Sequence, residues 1–223
     1  MSFSERPDPL DAGAVLALAP VVPVITVTDI GHALPLAQAL VAGGLPVLEV
    51  TLRTAHGLAA IEAIAAQVPG ALVGAGTVRS ADEFAAAVDA GSRFVVSPGL
   101  TDKLLARAGA SDVPLVPGIA TAGELMRARE EGLTHLKFFP AEAAGGVAAL
   151  RALCAPFPDM RFCPTGGVKL SNLADYLAID AVVTVGGTWM TPTALLEGGD
   201  WNAVEQLARE AAEAVRRIRV EGN

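Results

Sequence analysis

The chain has 223 residues, a formal net charge of -8 and 52% hydrophobic residues, with aromatic residues at only 4%. That length supplies a substantial core for one large domain spanning residues 1–223. The acidic balance argues against nucleic acid or an anionic membrane surface as partner, yet leaves room for a locally positive pocket for a small anion. Met1 to Asp8 is polar and lacks the apolar segment of a signal peptide, and no apolar run reaches transmembrane length, so the expected location is the cytoplasm.

Pro9 to Ala19 reads as a short leading helix, and an alternation of strands and helices follows. The apolar, β-branched run Val21–Val27 is the first strand, and Ile30–Ala42 is a helix ended by Gly43-Gly44. Pro46–Leu52 and Ala71–Gly76 are the second and third strands, separated by a helix over Leu58–Gln67. Ser80 is the expected N-cap of a helix running to Ala90. The fourth strand is Phe94–Ser97, Thr101 caps a helix to Ala108, and the fifth strand is Pro114–Ile119. Thr121 and Glu124 have the spacing of a capping box for a helix ending at Gly132. His135–Pro140 is the sixth strand, Val147–Cys154 a helix, Arg161–Thr165 the seventh strand and Asn172–Ala178 a helix. Ala181–Val185 is the eighth strand, followed by a short helix over Pro192–Leu196 and a long one from Trp201 to Val220. Pro35 inside the first of these helices and Pro117 inside the fifth strand run against local propensity.

Eight strand-like runs alternating with helices through short connections predict a parallel sheet with helices outside. Eight units at this length favour an α/β fold closed as a (β/α)8 TIM barrel with an extra N-terminal helix. The alternative, a doubly wound open sheet, more often carries a dinucleotide fingerprint after its first strand.

The polar residues then fall where chemistry sits in a barrel, at the C-terminal strand ends. Lysine is scarce, at Lys103, Lys137 and Lys169 only, and Lys137 lies in the apolar run His135-Leu136-Lys137-Phe138-Phe139-Pro140. Burying an unpaired ammonium costs several kcal/mol. Deprotonation relieves the cost and leaves a nucleophilic amine. A lysine that snorkels out of a strand end, or one that neutralises a core carboxylate, fits the same pattern. In the second strand Val47, Glu49, Thr51 and Arg53 share one face and Leu48, Val50 and Leu52 the other. The first set places a carboxylate, a hydroxyl and a guanidinium in the barrel mouth, either as a site or as an internal Glu49–Arg53 ion pair. Thr77 ends the third strand, where a turn or cap hydroxyl is the simpler reading. Thr165-Gly166-Gly167 ends the seventh strand and Gly186-Gly187-Thr188 the eighth. Paired glycines let backbone N–H groups converge on an anion, and these two loops are the usual phosphate site of the barrel class, although glycines also serve plain tight turns. His32 and His56 read as loop or helix-start residues and His135 as interior packing. No metal is expected, because the histidines lack ligand spacing. Cys154 and Cys163 read as buried reduced thiols.

Taken together the motifs resemble the KHG/KDPG aldolase family. The stretches that carry the resemblance are Val21-Val22-Pro23-Val24-Ile25, Leu48-Glu49-Val50-Thr51-Leu52-Arg53-Thr54, Val73-Gly74-Ala75-Gly76-Thr77-Val78, Ser97-Pro98-Gly99-Leu100, Pro117-Gly118-Ile119, Lys137-Phe138-Phe139-Pro140-Ala141-Glu142 and Arg161-Phe162-Cys163-Pro164-Thr165-Gly166-Gly167. The resemblance implies a cofactor-free class I aldolase, a homotrimer, acting on a phosphorylated 2-keto sugar acid. It implies Lys137 as the Schiff-base residue and Glu49 as the proton-transferring carboxylate. Arg53 and Thr77 would hold the substrate carboxylate, and Thr165, Gly166, Gly167, Gly187 and Thr188 the distal phosphate. Family members often have serine where this chain has Thr188. The implied reaction is cleavage of 2-dehydro-3-deoxy-6-phosphogluconate to pyruvate and glyceraldehyde 3-phosphate. Cleavage of 4-hydroxy-2-oxoglutarate or 2-keto-3-deoxy-6-phosphogalactonate is the near alternative. A phosphosugar isomerase or epimerase, or a non-catalytic sugar-phosphate-binding barrel, is the more distant one.

Overall fold

A computed structural model describes residues 10–221. Eight parallel strands alternate with helices, in the order α1 (Ala12–Ala17), β1 (Val21–Ile25), α2 (Ala33–Ala42), β2 (Val47–Thr51), α3 (Gly57–Gln67), β3 (Leu72–Gly76), α4 (Ala81–Asp89), β4 (Val95–Ser97), α5 (Asp102–Gly109), β5 (Leu115–Ile119), α6 (Ala122–Glu130), β6 (His135–Phe138), α7 (Gly146–Cys154), β7 (Arg161–Pro164), α8 (Leu173–Leu177), β8 (Val185–Gly187), α9 (Thr193–Gly198) and α10 (Trp201–Glu221). The strand order is β7-β6-β5-β4-β3-β2-β1-β8. Single bridges Phe162↔Val182 and Thr165↔Gly186 bring the two ends of that order together, which makes the sheet a (β/α)8 barrel.

Strand periodicity sorts the side chains onto two faces. Leu48, Val50, Leu136, Phe138 and Phe162 lie in a large apolar shell between sheet and helices. Val22, Val47, Phe94, Val96, Val116 and Cys163 form a second cluster with Val15, Leu16 and Ala19. The first six face inward, and the last three belong to α1 and the turn after it. The leading helix is therefore a plug for the N-terminal end of the barrel. Each valine, leucine or phenylalanine among them, fully buried, contributes about 1.5–3 kcal/mol. Outside, α10 packs on α2 and α8, burying Val204, Ala208, Ala211, Ala212 and Val215 at helical spacing.

Helix starts follow local chemistry. Ser80 and Thr101 accept from the N–H groups of Glu83 and Leu104, and Thr121 and Glu124 form the capping box. The helix expected from Ile30 begins instead as a 3-10 turn over Ile30–His32, with α2 starting at Ala33. Pro35 then lies in the first turn of α2, where its missing N–H costs no intrahelical bond. Pro117 stays inside β5, in register with Ser97 of β4. Of the leading helix, Pro9 lies outside the described residues.

Strand eight departs from the sequence expectation of Ala181–Val185, since the ladder with β1 runs over Val185–Gly187. The Ala181–Thr184 run is spent on the approach. Val182 makes one bridge to Phe162, and the Thr184 hydroxyl donates to the carbonyl of Pro20 at 3.1 Å. Among the described residues no helix is long and apolar enough to cross a membrane.

Candidate active site

Lys137 is on β6, between Leu136 and Phe138, which both point into the helix-facing shell. Alternation turns Lys137 inward. Its Nζ donates to Glu49 Oε1 at 2.9 Å and to Oε2 at 3.3 Å, across 88 residues of sequence. Lys137 is 6% exposed and Glu49 3%, so the pair has little water to lean on and each charge depends on the other. The Phe139 ring centroid lies 5.2 Å from Nζ, a cation–π distance.

Glu49 reaches this position because β3 leaves it room. A Cβ at Gly76 would sit 2.3 Å from Glu49 Oε1 and 2.5 Å from its Cγ. Only glycine lets the carboxylate lie flat on β3. The next residue, Thr77, has φ +59°, a left-handed backbone that a β-branched residue rarely adopts. Its Oγ1 accepts from Arg53 Nε at 3.2 Å. Glu49 thus pairs with Lys137 and Arg53 with Thr77, so the Glu49–Arg53 ion pair is not the arrangement adopted. Thr51 departs from the sequence reading, which placed its hydroxyl in the mouth. That hydroxyl donates to the Ile25 carbonyl at 3.0 Å and meets Thr26 Oγ1 at 2.9 Å, serving the β1–β2 junction.

Thr165, Gly166 and Gly167 follow β7, with Gly166 at φ +99° and Gly167 at φ +86°. Three carbonyls in a row are occupied at this turn. The Thr165 carbonyl accepts from the Ala141 N–H at 2.8 Å and the Gly166 carbonyl from the Glu142 N–H at 3.0 Å. The Gly167 carbonyl accepts from Asn172 Nδ2 at 3.3 Å. In a trans peptide the N–H opposes the C=O, so the N–H groups of Gly166, Gly167 and Val168 are turned away from those partners. Successive N–H groups arranged in this way are suited to an anion. Thr165 is bridged to Gly186, and Gly187 ends β8 in register with Pro23 of β1. Thr188 is exposed, and its carbonyl accepts from the Thr191 N–H at 3.0 Å and hydroxyl at 3.1 Å.

The remaining polar residues fall into place around this frame. Cys163 is the register partner of Lys137 on β7, and burial pushes its thiol up to about 12, an inert state. His32 and His56 stand at the starts of α2 and α3. His135 is half-buried at the plugged end, bonded through Nδ1 to Thr134 Oγ1 at 3.0 Å and close against Gly13 of α1. Burial holds its imidazole below the ordinary range, the charge of Arg161 acting in the same direction and Asp11 against it. Among the described residues no three His, Cys, Asp or Glu side chains group as metal ligands.

Two residues had no role in the sequence reading. The Tyr176 hydroxyl, on α8, donates to Glu142 Oε1 at 2.5 Å. Glu142 carries the N–H that holds the Gly166 carbonyl. It lies in a quoted motif, but nothing in the sequence pairs it with a tyrosine 34 residues later.

Comparison with known proteins bears on this arrangement. The family model described as KDPG and KHG aldolase matches residues 13–207. The chain is 56% identical to a 2-dehydro-3-deoxy-phosphogluconate aldolase of Pseudomonas aeruginosa over 193 residues, 86% of this chain and 88% of that protein. It is 52% identical to a KHG/KDPG aldolase of Escherichia coli K12, over 92% of this chain and 96% of that one. A solved structure of KDPG aldolase from Legionella pneumophila, holding pyruvate as a covalent carbinolamine intermediate, superposes with a TM-score of 0.87 at 45% identity. The match covers 89% of this chain and 97% of that chain.

Proposed function

Because the chain belongs to the KDPG and KHG aldolase family, we infer that it is a Schiff-base aldolase. It cleaves 2-dehydro-3-deoxy-6-phosphogluconate to pyruvate and glyceraldehyde 3-phosphate. The observation that carries the reading is the buried amine of Lys137 at 2.9 Å from the Glu49 carboxylate, in a family whose Legionella member captures pyruvate covalently.

The pair performs both halves of the chemistry. Glu49 accepts a proton from the Lys137 ammonium, and the free amine attacks C2 of the keto acid. Glu49 returns that proton to the carbinolamine hydroxyl, which leaves as water, and the resulting protonated imine draws electrons from the C3–C4 bond. Glu49, through a bridging water, takes the C4 hydroxyl proton as that bond breaks, and glyceraldehyde 3-phosphate departs. Glu49 passes that proton on to C3 of the enamine, and hydrolysis of the imine returns pyruvate and the amine. Arg53, steadied by Thr77, holds the substrate carboxylate and fixes the imine plane. Thr165, Gly166, Gly167, Gly187 and Thr188 receive the phosphate.

The chain acts as a single barrel domain, and a cytoplasmic homotrimer is the proposed form. The relative named KHG/KDPG aldolase supports a second reading with 4-hydroxy-2-oxoglutarate as an additional substrate. Comparing cleavage rates on the two keto acids decides between them. Incubation with pyruvate and borohydride, followed by mass spectrometry, is expected to leave one reduced pyruvate on Lys137. A Lys137→Ala protein that still traps pyruvate places the imine elsewhere. Light scattering that returns a monomer removes the trimer.

A further inference from the structure

The structure assigns a positioning role to Tyr176 and Glu142: together they form a brace that sets the Gly166–Gly167 turn for the distal phosphate of the substrate. This rests on the aldolase reading above and extends it to residues behind the site. Three observations carry it.

First, Glu142 fills the space under the turn. A Cβ at Gly167 would fall 2.5 Å from Glu142 Cγ and 2.7 Å from its Cβ. The glutamate stem therefore occupies the place where a side chain would otherwise support the loop. Second, Glu142 is fastened at both ends. Its N–H holds the Gly166 carbonyl at 3.0 Å and its carbonyl accepts from the Gly145 N–H at 3.2 Å, while its Oε1 is held by the Tyr176 hydroxyl at 2.5 Å. Third, the anchor is rigid. Tyr176 is 0% exposed, packed in the shell between sheet and helices, whereas Glu142 is exposed. An exposed glutamate stays in one rotamer only when something holds it, and a charge-assisted bond from a buried hydroxyl does so.

The brace therefore acts on the phosphate end through the backbone, because the carbonyl it restrains belongs to the same peptide as the Gly167 N–H. Lys137 and Glu49 have separate supports on β6, β2 and β3. The pair is predicted to govern binding of the phosphorylated end and not imine formation.

The test uses the full chain with two aldehydes in the condensation direction, glyceraldehyde 3-phosphate and glyceraldehyde, alongside borohydride trapping of pyruvate. Tyr176→Phe is expected to raise KM for the phosphorylated aldehyde about tenfold, with KM for glyceraldehyde and the trapping rate at parental values. Glu142→Ala is expected to give the same selective loss. Glu142→Gln, which keeps the stem and an acceptor for Tyr176, is expected to stay near the parent. Equal losses on both aldehydes, or no loss in Tyr176→Phe and Glu142→Ala, overturn the proposal. If Tyr176→Phe does not fold, the exposed Glu142→Ala and Glu142→Gln pair decides alone, and equal behaviour of the two counts against the brace. A parent protein that traps no pyruvate overturns the aldolase reading instead. In that case the stabilisation of each variant by inorganic phosphate, weaker in Glu142→Ala than in Glu142→Gln if the brace exists, still judges the turn.

Discussion

Replacing Lys137 by methionine isolates the electrostatic core of the site. The stem is nearly preserved, so the change strands the Glu49 carboxylate at 3% exposure with its 2.9 Å partner gone. Removing one member of a buried pair costs about 3–5 kcal/mol. A loss of about 3–5 kcal/mol is therefore expected at pH 7. Lys137→Met with Glu49→Gln removes both charges and should recover most of that loss. Urea unfolding of the parent, both single variants and the double variant at pH 7 measures this. A deficit below about 1 kcal/mol in Lys137→Met would refute the claim that the pair is dry and mutually dependent.

Other perturbations probe the surrounding frame. Arg53→Ala should raise the pyruvate KM by about 10- to 100-fold, the value of charge-assisted bonds to a carboxylate, as read from the concentration dependence of trapping. Gly76→Ala places a methyl 2.3 Å from Glu49 Oε1 and displaces that carboxylate. A displacement of this scale predicts an aldol cleavage rate down by about 100-fold, and an unchanged rate would mean that Glu49 need not lie against β3. Burial lowers the His135 imidazole from its ordinary 6.5, so the unfolded chain binds the proton first as pH falls. The contribution of the buried neutral ring is complete above pH 6.5 and is lost as pH drops through the lower folded value. His135→Asn should flatten the stability profile between about pH 7 and 5 relative to the parent, which parallel urea titrations would reveal.

Much of the site was legible because period 2 is a local property. Glu49 and Arg53 fall on one face of their strand and Lys137 on the inward face of another, whatever the rest of the chain does. The glycine pair after the seventh strand was likewise a local signal of a turn, and Gly166 and Gly167 there adopt positive φ. Thr51 shows the limit of such reasoning. Its face was read correctly, but a hydroxyl on the last residue of β2 is equally able to serve the neighbouring strand, and here it bonds the Ile25 carbonyl.

The alternation of apolar runs and caps by itself determined eight β/α units, because caps, turns and periodicity are settled within a few residues. The chain also dictated that its one lysine in an apolar run would need a special environment. Partner choice belonged to the tertiary structure. Only barrel closure carries Lys137 to Glu49, sets Tyr176 against Glu142 and delays β8 until Val185 meets Val21 on β1. Each of these pairings depends on where strands far apart in sequence come to lie, and their energy is gained only once the intervening loops have closed.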